Sequence, residues 1–485
     1  LASGGKQKIF EEQFLIYRGL TRPSKGLWLT YAANDAEGRE LSPSSLIERL
    51  QRLDEGLQIE PMPAFDLEET APAAVFHLLG GEMRKAEAPL SPLWQDIYGF
   101  FDENSQWQKH LSLLKQGIGK TAKPERLSPK TAKTLYGKNI FSSVSRLERF
   151  AGCPFSFFAE YGLKAEERRL YQLNTPDLGS LFHEVLELFS NKLEQDSLPW
   201  TSLTKEETTA RIHAAVEDAA PRLGNRILLD SAANQYLIRR LKRISTRAAW
   251  TLVQHLQQGD FIPAGYEVGF GAHEALPPIV IRLQDGGSLI LNGKIDRVDL
   301  LDANGTRYVK IIDYKSGNKT FHFQDIYYGL QLQLLVYLDA YLKYYKKTGA
   351  SFKPGGVFYF RITDPTLVLD EELSAEAIEK ILYEKMRMSG LLLQEDVLIH
   401  GLDHSLAESR SSAIVPVGYT KKGDPTAASN LATEEQYAAI LDFVATRTQE
   451  IGDAMKAGII TPAPYRDGQR TPCAYCSYRS LCRHS

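Results

Sequence analysis

Two aspartates and a lysine lie in two short segments rich in β-branched residues, and these residue types together suit metal-dependent hydrolysis. The first segment, residues 293–299 (GKIDRVD), contains Asp296, and the second, residues 312–317 (IDYKSG), contains Asp313 and Lys315. Carboxylates are ligands that Mg²⁺ prefers, and a nearby lysine can stabilise negative charge on a reacting group. The two segments therefore predict a magnesium site beside a catalytic lysine.

Asn304-Gly305 lies between the two segments, and this dipeptide is typical of a tight turn between antiparallel strands. With a two-residue turn there, Asp296 lies directly opposite Asp313. Lys315 is expected on the same face as Asp313, because strand side chains alternate between faces. Two facing carboxylates repel each other, so the arrangement requires a cation or a raised pKa. The alternative is that both acids lie on a solvated hairpin face.

Other segments of the chain alternate between helical and strand-like patterns, which indicates helices around a short mixed sheet and an α/β or α+β fold. Ser145 and Glu148 fit a capping box that begins one helix. Besides the hairpin, we predict strands at 266–270, 279–283 and 355–362, and helices within 204–258 and at 324–346, 374–395 and 434–457.

The composition is that of an ordinary soluble globular protein, with 43% hydrophobic and 24% charged residues. A length of 485 residues predicts two or three domains. No apolar run reaches the roughly 18 residues of a membrane helix, so we expect no membrane span and a cytoplasmic location. The chain begins without methionine, and we expect it to be a fragment of something larger. A net charge of −3 neither favours nor excludes a nucleic-acid partner.

Four motifs, in this order, resemble those of the RecB-family nucleases. They are GSLFH at 179–183, GKID at 293–296, DYK at 313–315 and QLLVY at 333–337. The resemblance implies a restriction-endonuclease-like α/β core with added helices. It also implies hydrolysis of DNA by Mg²⁺ held between the two aspartates.

The resemblance assigns roles to residues outside the two aspartates and the lysine. It implies His183 as a further metal ligand, and we expect the backbone carbonyl of Tyr314 as another. Gln333 and Tyr337, one helical turn apart, are implied to position the DNA backbone or the active-site side chains; an ordinary amphipathic helix is the alternative. Glu267 fits the family pattern as an additional acid near the metal.

The four cysteines form a second candidate metal site. Cys473, Cys476 and Cys482 have C-x₂-C-x₅-C spacing, and Cys153 lies far upstream. Thiols this close in a chain without a secretory signal favour metal over disulfides, and zinc and an iron–sulfur cluster suit four thiolates equally. The arrangement resembles the iron–sulfur staple of the AddB component of AddAB helicase–nucleases, which implies a [4Fe-4S] cluster, with zinc as the alternative.

The resemblance also suggests how the chain is divided. Residues 1–60 resemble the end of a superfamily-1 helicase-like domain, with Arg22 at its phosphate-contacting position and a strand at 26–31. Residues 61–140 are expected to be a connector that leads into short helices. Residues 141–485 are expected to be the nuclease domain, closed by the four-cysteine cluster.

Together these resemblances imply a Mg²⁺-dependent nuclease that cleaves single-stranded DNA within a helicase–nuclease that processes double-strand breaks. The implied partners are DNA and an AddA-like subunit. Two other classes stay open: a catalytically inactive, DNA-binding structural subunit, and a zinc-stabilised interaction module. The complete set of two aspartates and a lysine argues against the inactive subunit.

Overall fold

A computed structural model describes residues 5–33, 40–54, 56–60, 71–84, 89–118, 126–165, 175–222, 232–367, 373–468 and 470–482. The chain divides into two compact units, Leu1–Thr121 and Ala122–Ser485. The second unit thus begins before residue 141, the boundary expected from the sequence. No helix in the described ranges is long and apolar enough to cross a membrane.

The regular elements in the described residues of the first unit are helices. Leu79, Phe101 and Leu111 are buried in a small core of its own, within the stretch predicted to be a connector. Residues 26–31 form no strand, contrary to the prediction, because no other described strand in this unit offers a pairing partner. The helices are α1 (Gly5–Thr21), α2 (Ser45–Leu53), α3 (Pro72–Arg84), α4 (Pro92–Glu103) and α5 (Gln108–Ile118).

The second unit combines helices with two β-sheets. Its helices are α6 (Pro129–Tyr136), α7 (Val144–Gly152), α8 (Pro154–Phe157), α9 (Thr175–Gln195), α10 (Lys205–Ala219), α11 (Ala232–Gln257), α12 (Phe323–Tyr327), α13 (Gln333–Lys347), α14 (Ala375–Lys385), α15 (Asp396–Leu402), α16 (Glu434–Lys456) and α17 (Arg479–Cys482). Its strands are β1 (Asn139–Ser142), β2 (Ile262–Phe270), β3 (Ile279–Arg282), β4 (Ser288–Leu291), β5 (Gly293–Ala303), β6 (Thr306–Lys315), β7 (Phe352–Arg361), β8 (Ser389–Leu393) and β9 (Leu431–Ala432).

The larger sheet has six strands in the order β2-β5-β6-β7-β8-β9, and a smaller one has the order β1-β4-β3. In the larger sheet β6 and β7 are parallel, and the connection between them contains α12 and α13. Parallel neighbours require such a crossover, whereas β5 and β6 are antiparallel and need only a turn. The sheet is therefore mixed, in agreement with the predicted α/β architecture.

The β5–β6 turn has the geometry that its dipeptide predicts. Asn304 has φ +51° and Gly305 has φ +77°, both in the left-handed region that a type I′ turn requires. Ala303 pairs with Thr306, and the register continues without a bulge to the pair of Arg297 with Ile312. The predicted hairpin and its register are therefore confirmed.

Two local predictions are wrong. Residues 374–395, predicted as one helix, contain α14 and then the strand β8, whose apolar run is buried between β7 and β9. Hydrophobic periodicity does not distinguish such a fully buried strand from a helix. Ser145 and Glu148 form no capping box, because Ser143 is the N-cap of α7 and accepts a hydrogen bond from the amide of Arg146.

Two helices lie on opposite faces of the larger sheet. Gln333 of α13 bonds to Asp313 on one face of β6. His255 of α11 contacts Phe360, whose ring also contacts that of Tyr314, so α11 lies on the other face. Both faces of the central strands are thus covered, and most residues of β6 are buried.

Candidate functional site

The two aspartates lie at the end of the β5–β6 hairpin opposite its turn, one residue beyond the last pair of the confirmed register. The carboxylate Oδ2 of Asp296 accepts a hydrogen bond from the amide of Tyr314, at 2.6 Å. Asp296 on β5 is thereby tied to the backbone of β6, next to Asp313. The tyrosine ring lies on the opposite, buried face of the sheet, and its carbonyl stays a predicted ligand.

Asp313 is buried and held by two side chains. Its Oδ2 lies 2.5 Å from Nζ of Lys315, two residues along the same strand, and its Oδ1 accepts a 2.7 Å hydrogen bond from Nε2 of Gln333. The lysine is therefore on the face of Asp313, as strand alternation predicts. Burial lowers the pKa of Lys315, but the charge of Asp313 outweighs that effect and raises it above its ordinary value. The lysine thus stays positively charged.

His183 and Glu267 complete a group of potential metal ligands around Asp296. The histidine Nδ1 lies 3.3 Å from Oδ2 of Asp296, and one ligand atom from each of the three residues falls within 4.8 Å of the other two. Glu267 has φ +46° inside β2, where a residue with a side chain is strained. This strain occurs at the candidate site itself, where such backbone distortion is most often found.

A pocket of about 670 Å³ opens beside these ligands. It is lined by residues of α9, by Glu267 and by Ser316, which follows Lys315 directly. Gly179, the first residue of the GSLFH motif, permits this close approach: a Cβ there would lie only 2.9 Å from Oγ of Ser316. The pocket therefore gives solvent access to His183 and Glu267, two of the three potential ligands grouped around Asp296.

Two acids of the site, Asp313 and Glu267, have raised pKa values. Burial and the charge of Asp296 raise the pKa of Asp313 to about 6. Burial and the charges of Asp296 and Glu187 raise the pKa of Glu267 to about 7. For His183, burial lowers the pKa, but the hydrogen bond to Asp296 raises it above its ordinary value of 6.5. Burial and the charge of Asp296 therefore both disfavour the ionised forms of Asp313 and Glu267, and a bound cation would favour them.

Tyr337 is buried and does not face the pocket. Its ring stacks on Phe270 with centroids 5.5 Å apart, and its hydroxyl contacts the strand at Gly293, where a Cβ would overlap it. The motif glycine and the motif tyrosine thus fit against each other. This contact fixes α13 against the start of β5 and so supports the residues that carry the acids.

The opposite face of the hairpin carries buried charges that the sequence patterns did not identify. Asp299 lies 2.6 Å from Nε of Arg297 and 2.9 Å from Nζ of Lys310, and all three are buried. Burial alone would raise the pKa of Asp299, but the two cations hold it below its ordinary value. The guanidinium also lies over the ring of Trp200. Strand alternation could have predicted this, because Arg297 and Asp299 lie one and three residues after Asp296 and therefore on the opposite face of β5.

Glu148, which the sequence pattern placed in a local capping box with Ser145, instead caps a distant helix. Its Oε1 accepts hydrogen bonds from the amides of Leu332 and Gln333 at the start of α13. Its Oε2 lies 3.4 Å from Nζ of Lys319. No local pattern could reveal this contact, because the partners are 184 and 185 residues apart in the chain.

The C-terminal tail returns to the helices that flank Cys153. Cys476 Sγ lies 3.8 Å from Oγ of Ser156, and the amide of Tyr465 donates to the carbonyl of Gly152 at 2.8 Å. Burial and then the charges of Cys473 and Cys476 raise the pKa of the Cys153 thiol. Cys482 lies at the end of α17, and its place beside them stays a prediction. Among the described residues only His183, Glu267 and Asp296 form a compact set of three potential ligands.

Comparison with known proteins agrees with this geometry. Residues 142–483 match the PD-(D/E)XK nuclease superfamily, and residues 70–117 match the fifth domain of the ATP-dependent helicase/deoxyribonuclease AddB. The second match falls within the predicted connector, on the helical unit that has its own core.

Several relatives, each named as the B subunit of an ATP-dependent helicase/deoxyribonuclease, align with almost the whole chain. Identity is 40% to the protein of Alkaliphilus oremlandii, over 98% of this chain, and 37% to that of Caldanaerobacter subterraneus, over 99%. The protein of Desulforamulus reducens is 38% identical over the full chain. This chain spans 42% of the length of each of these relatives. The match to the nuclease superfamily covers more than two thirds of the chain and includes every residue of the candidate site, and the chain belongs to the PD-(D/E)XK nuclease superfamily.

Proposed function

We propose that this chain is a Mg²⁺-dependent DNA nuclease that hydrolyses phosphodiester bonds in single-stranded DNA. We propose further that it acts within a helicase–nuclease that processes DNA double-strand breaks for recombinational repair. The observation that carries the proposal is the convergence of Asp296, Asp313 and Lys315 at one end of the β5–β6 hairpin, beside an open pocket. The relatives named as helicase/deoxyribonuclease subunits support the choice of DNA and of the larger assembly.

The donor set fits a hard divalent cation. Asp296, Glu267 and His183 offer ligand atoms within 4.8 Å of one another, and Asp313 adds a buried carboxylate on the adjacent strand. The raised pKa values of Asp313 and Glu267 support the fit, because burial and the charge of Asp296 both disfavour the ionised carboxylates and a bound cation would stabilise them. When bound, Mg²⁺ supplies charge neutralisation at the scissile phosphate and lowers the pKa of a bound water.

The protein's own groups supply orientation and a fixed positive charge. Asp313 holds Nζ of Lys315 at 2.5 Å, and Gln333 fixes the other oxygen of the same carboxylate. In this position the ammonium group can orient the attacking water or stabilise negative charge on the phosphate as the bond breaks. His183 must be neutral to donate an electron pair to a metal, so its bond to Asp296 is expected to rearrange on metal binding.

The four cysteines are proposed to hold a [4Fe-4S] cluster, with zinc as the alternative. Four thiolates are suitable ligands for either, and Sγ of Cys476 lies 3.8 Å from Oγ of Ser156, three residues after Cys153. Hydrolysis transfers no electrons, so the proposed role is structural: the cluster fastens the C-terminal tail to α7 and α8. Hydrogen bonds from the tail to Gly152 and Ala165 support this direction of docking. Stable thiolates of this kind favour a reducing compartment such as the cytoplasm.

The partners are proposed to be DNA and an AddA-like helicase–nuclease subunit in a heterodimer. The relatives whose names include a helicase/deoxyribonuclease subunit support this assignment. The match of residues 70–117 to an AddB domain supports it independently of the nuclease region.

The test is cleavage of end-labelled single-stranded DNA by the full chain, with Mg²⁺ and with a chelator. We expect cleavage with Mg²⁺ only, and its loss in Asp296→Ala, with DNA binding retained. Asp302→Ala is the matched control, because Asp302 lies on the same strand, is largely exposed and pairs with Arg307 near the turn. Cleavage by Asp296→Ala at saturating Mg²⁺ would contradict the site.

The same assay separates the two alternatives. DNA binding without cleavage by the unaltered chain would indicate an inactive structural subunit. Zinc in place of iron, together with no cleavage and no DNA binding, would indicate an interaction module. Iron is recognised by the broad visible absorbance of its thiolate complexes, which zinc does not give.

A further inference from the structure

We propose that Glu148 is a positioning residue of the nuclease reaction, which fixes the start of α13 and thereby the hydrogen bond from Gln333 to Asp313. This inference rests on the proposed nuclease function. Glu148 does not contact Asp313 and is not one of the ligands. It acts through the helix whose first residue holds the buried carboxylate.

The contact is a helix cap supplied from a distant part of the chain. The residue before α13, Leu332, provides no side-chain cap of its own. Oε1 of Glu148 accepts from the amides of Leu332 at 2.8 Å and Gln333 at 3.0 Å. These amides have no partner within the helix, and a carboxylate at a helix N-terminus is also favoured by the helix dipole.

Gln333 connects this cap to the reaction centre. Its backbone amide bonds to Glu148, while its side-chain Nε2 bonds to Asp313 at 2.7 Å. A shift of the first turn of α13 therefore moves the partner of Oδ1, and Asp313 in turn holds Lys315 through Oδ2. Glu148 is thus connected to Lys315 by a continuous series of contacts: two hydrogen bonds, through Gln333 to Asp313, and the ion pair of Asp313 with Lys315.

The carboxylate of Glu148 is itself well held. It is mostly buried, and its second oxygen faces Nζ of Lys319 at 3.4 Å. That ammonium group also lies over the ring of Tyr359, at 5.1 Å from the centroid. Lys319 thus balances the charge that the cap brings into the interior.

The helix that carries Glu148 also receives the C-terminal tail. α7 ends at Gly152, directly before Cys153, and the carbonyl of Gly152 accepts from the amide of Tyr465. A displaced tail would therefore disturb α7, and through Glu148 it would disturb the site. This gives the proposed cysteine cluster a route to the nuclease reaction that needs no electron transfer.

A second set of contacts connects the C-terminal tail with the start of α13. Nη2 of Arg470 lies 2.8 Å from Oδ2 of Asp325, and that oxygen also accepts from Nε2 of Gln331 at 2.9 Å. Gln331 immediately precedes the capped residue Leu332. The tail, through Asp325 and Gln331, and Glu148, through Leu332, therefore both hold the segment directly before α13.

The test compares Glu148→Ala with Glu148→Gln in the full chain. Alanine removes the acceptor, and we expect kcat for single-stranded DNA with Mg²⁺ to fall about tenfold or more, the effect of losing one charge-assisted hydrogen bond. KM and iron content should stay near those of the parent. Glutamine keeps an acceptor oxygen and should restore most of kcat. Glu160→Gln, which removes the carboxylate paired with Arg149 close to α7, is the matched control and should leave kcat unchanged.

Hydrogen–deuterium exchange of the amides of Leu332 and Gln333 provides a readout that does not depend on catalysis. Both should exchange faster in Glu148→Ala than in the parent or in Glu160→Gln. If the parent itself fails to cleave DNA, the proposed function is wrong, and the exchange still reports whether the cap exists. Slow exchange in the alanine variant overturns the inference.

Two further outcomes would overturn it. Fast exchange with an unchanged kcat would mean that the cap has no influence on the reaction. A lower kcat accompanied by an equal rise in KM and no recovery in the glutamine variant would mean general damage. Should the alanine variant fail to fold, Glu148→Asp takes its place, because it keeps the charge but is one methylene too short to reach both amides, and a lower kcat is expected.

Discussion

Replacement of Asp313 by asparagine should abolish DNA cleavage and at the same time stabilise the metal-free protein near neutral pH. Asparagine resembles the protonated acid: it keeps an oxygen for the bond from Gln333 but removes the buried charge. Burial and the charge of Asp296 raise the pKa of Asp313 from 3.8 to about 6. At about 1.4 kcal/mol for each tenfold change in proton affinity, ionising this carboxyl costs the folded state up to about 3 kcal/mol.

The sign of the pH dependence follows from the raised pKa. Between pH about 4 and about 6 the folded protein binds a proton at Asp313 that the unfolded chain has released, so stability falls as pH rises through this range. The asparagine variant should match the parent near pH 4 and exceed it by up to about 3 kcal/mol above pH 6. Glu267 and His183 also have raised pKa values, so the asparagine variant still loses stability toward neutral pH, and the share of Glu267, whose pKa is raised from 4.5 to about 7, is about as large as that of Asp313.

Mg²⁺ should remove most of this difference between the two proteins. A ligand at one hundred times its dissociation constant stabilises the folded state by about 2.7 kcal/mol, which is close to the cost of the buried charge. The parent should therefore gain stability with Mg²⁺, while the asparagine variant, which lacks one ligand, should gain much less.

The assay is urea unfolding at pH about 4 and about 7.5, with a chelator and with Mg²⁺, beside cleavage of single-stranded DNA. Asp302→Asn is the control, because this exposed acid lies on the same hairpin and should not alter the pH dependence. A metal-free asparagine variant no more stable than the parent at the higher pH would refute the reasoning. Retained cleavage would refute the role of Asp313 as a ligand.

Three further predictions concern Lys315, Gly293 and the C-terminal tail that contains Cys476. Lys315→Gln should lower kcat about 100-fold or more with DNA affinity nearly unchanged, since it removes a preorganised charge beside the phosphate; a comparable loss in affinity would count against it. Gly293→Ala should displace Tyr337, cost about 1–3 kcal/mol in urea unfolding and reduce cleavage, whereas Gly317→Ala, whose Cβ meets no atom within 4 Å, should do neither. Cys476→Ala should lose iron and become sensitive to protease at the C-terminus, unlike Ser477→Ala; an iron-free variant that resists protease would disprove the structural role.

The hairpin could be predicted from the sequence because its determinants are local. Asn304-Gly305 specifies the turn, the turn specifies the register, and side-chain alternation then brings Asp313 and Lys315 to one face. The burial of Tyr337, in the QLLVY motif, could not be predicted in this way, because the spacing of residues on a helix does not tell which face is buried. Tyr337 packs on Gly293 and Phe270, and only the assembled sheet determines this.

Contacts between distant segments could not be predicted in the same way. Glu148 looked like part of a local capping box because its spacing from Ser145 was right, yet it caps a helix 184 residues further on. Likewise, the apolar run of β8 is compatible with a helix until β7 and β9 are present to pair with it. In both cases the sequence shows what a segment can do, and the tertiary partner decides between the options.

The two faces of the β5–β6 hairpin depend on each other. One face holds carboxylates that repel, and such a pair favours separation of the strands or a slip in register. On the other face Asp299 of β5 is bonded to Lys310 of β6, its direct cross-strand partner, and to Arg297. A slip by one residue would break this buried ion pair and leave charges without partners in the interior, which is strongly unfavourable. The buried triad therefore fixes the register, and the register keeps Asp296 and Asp313 together in the absence of a cation.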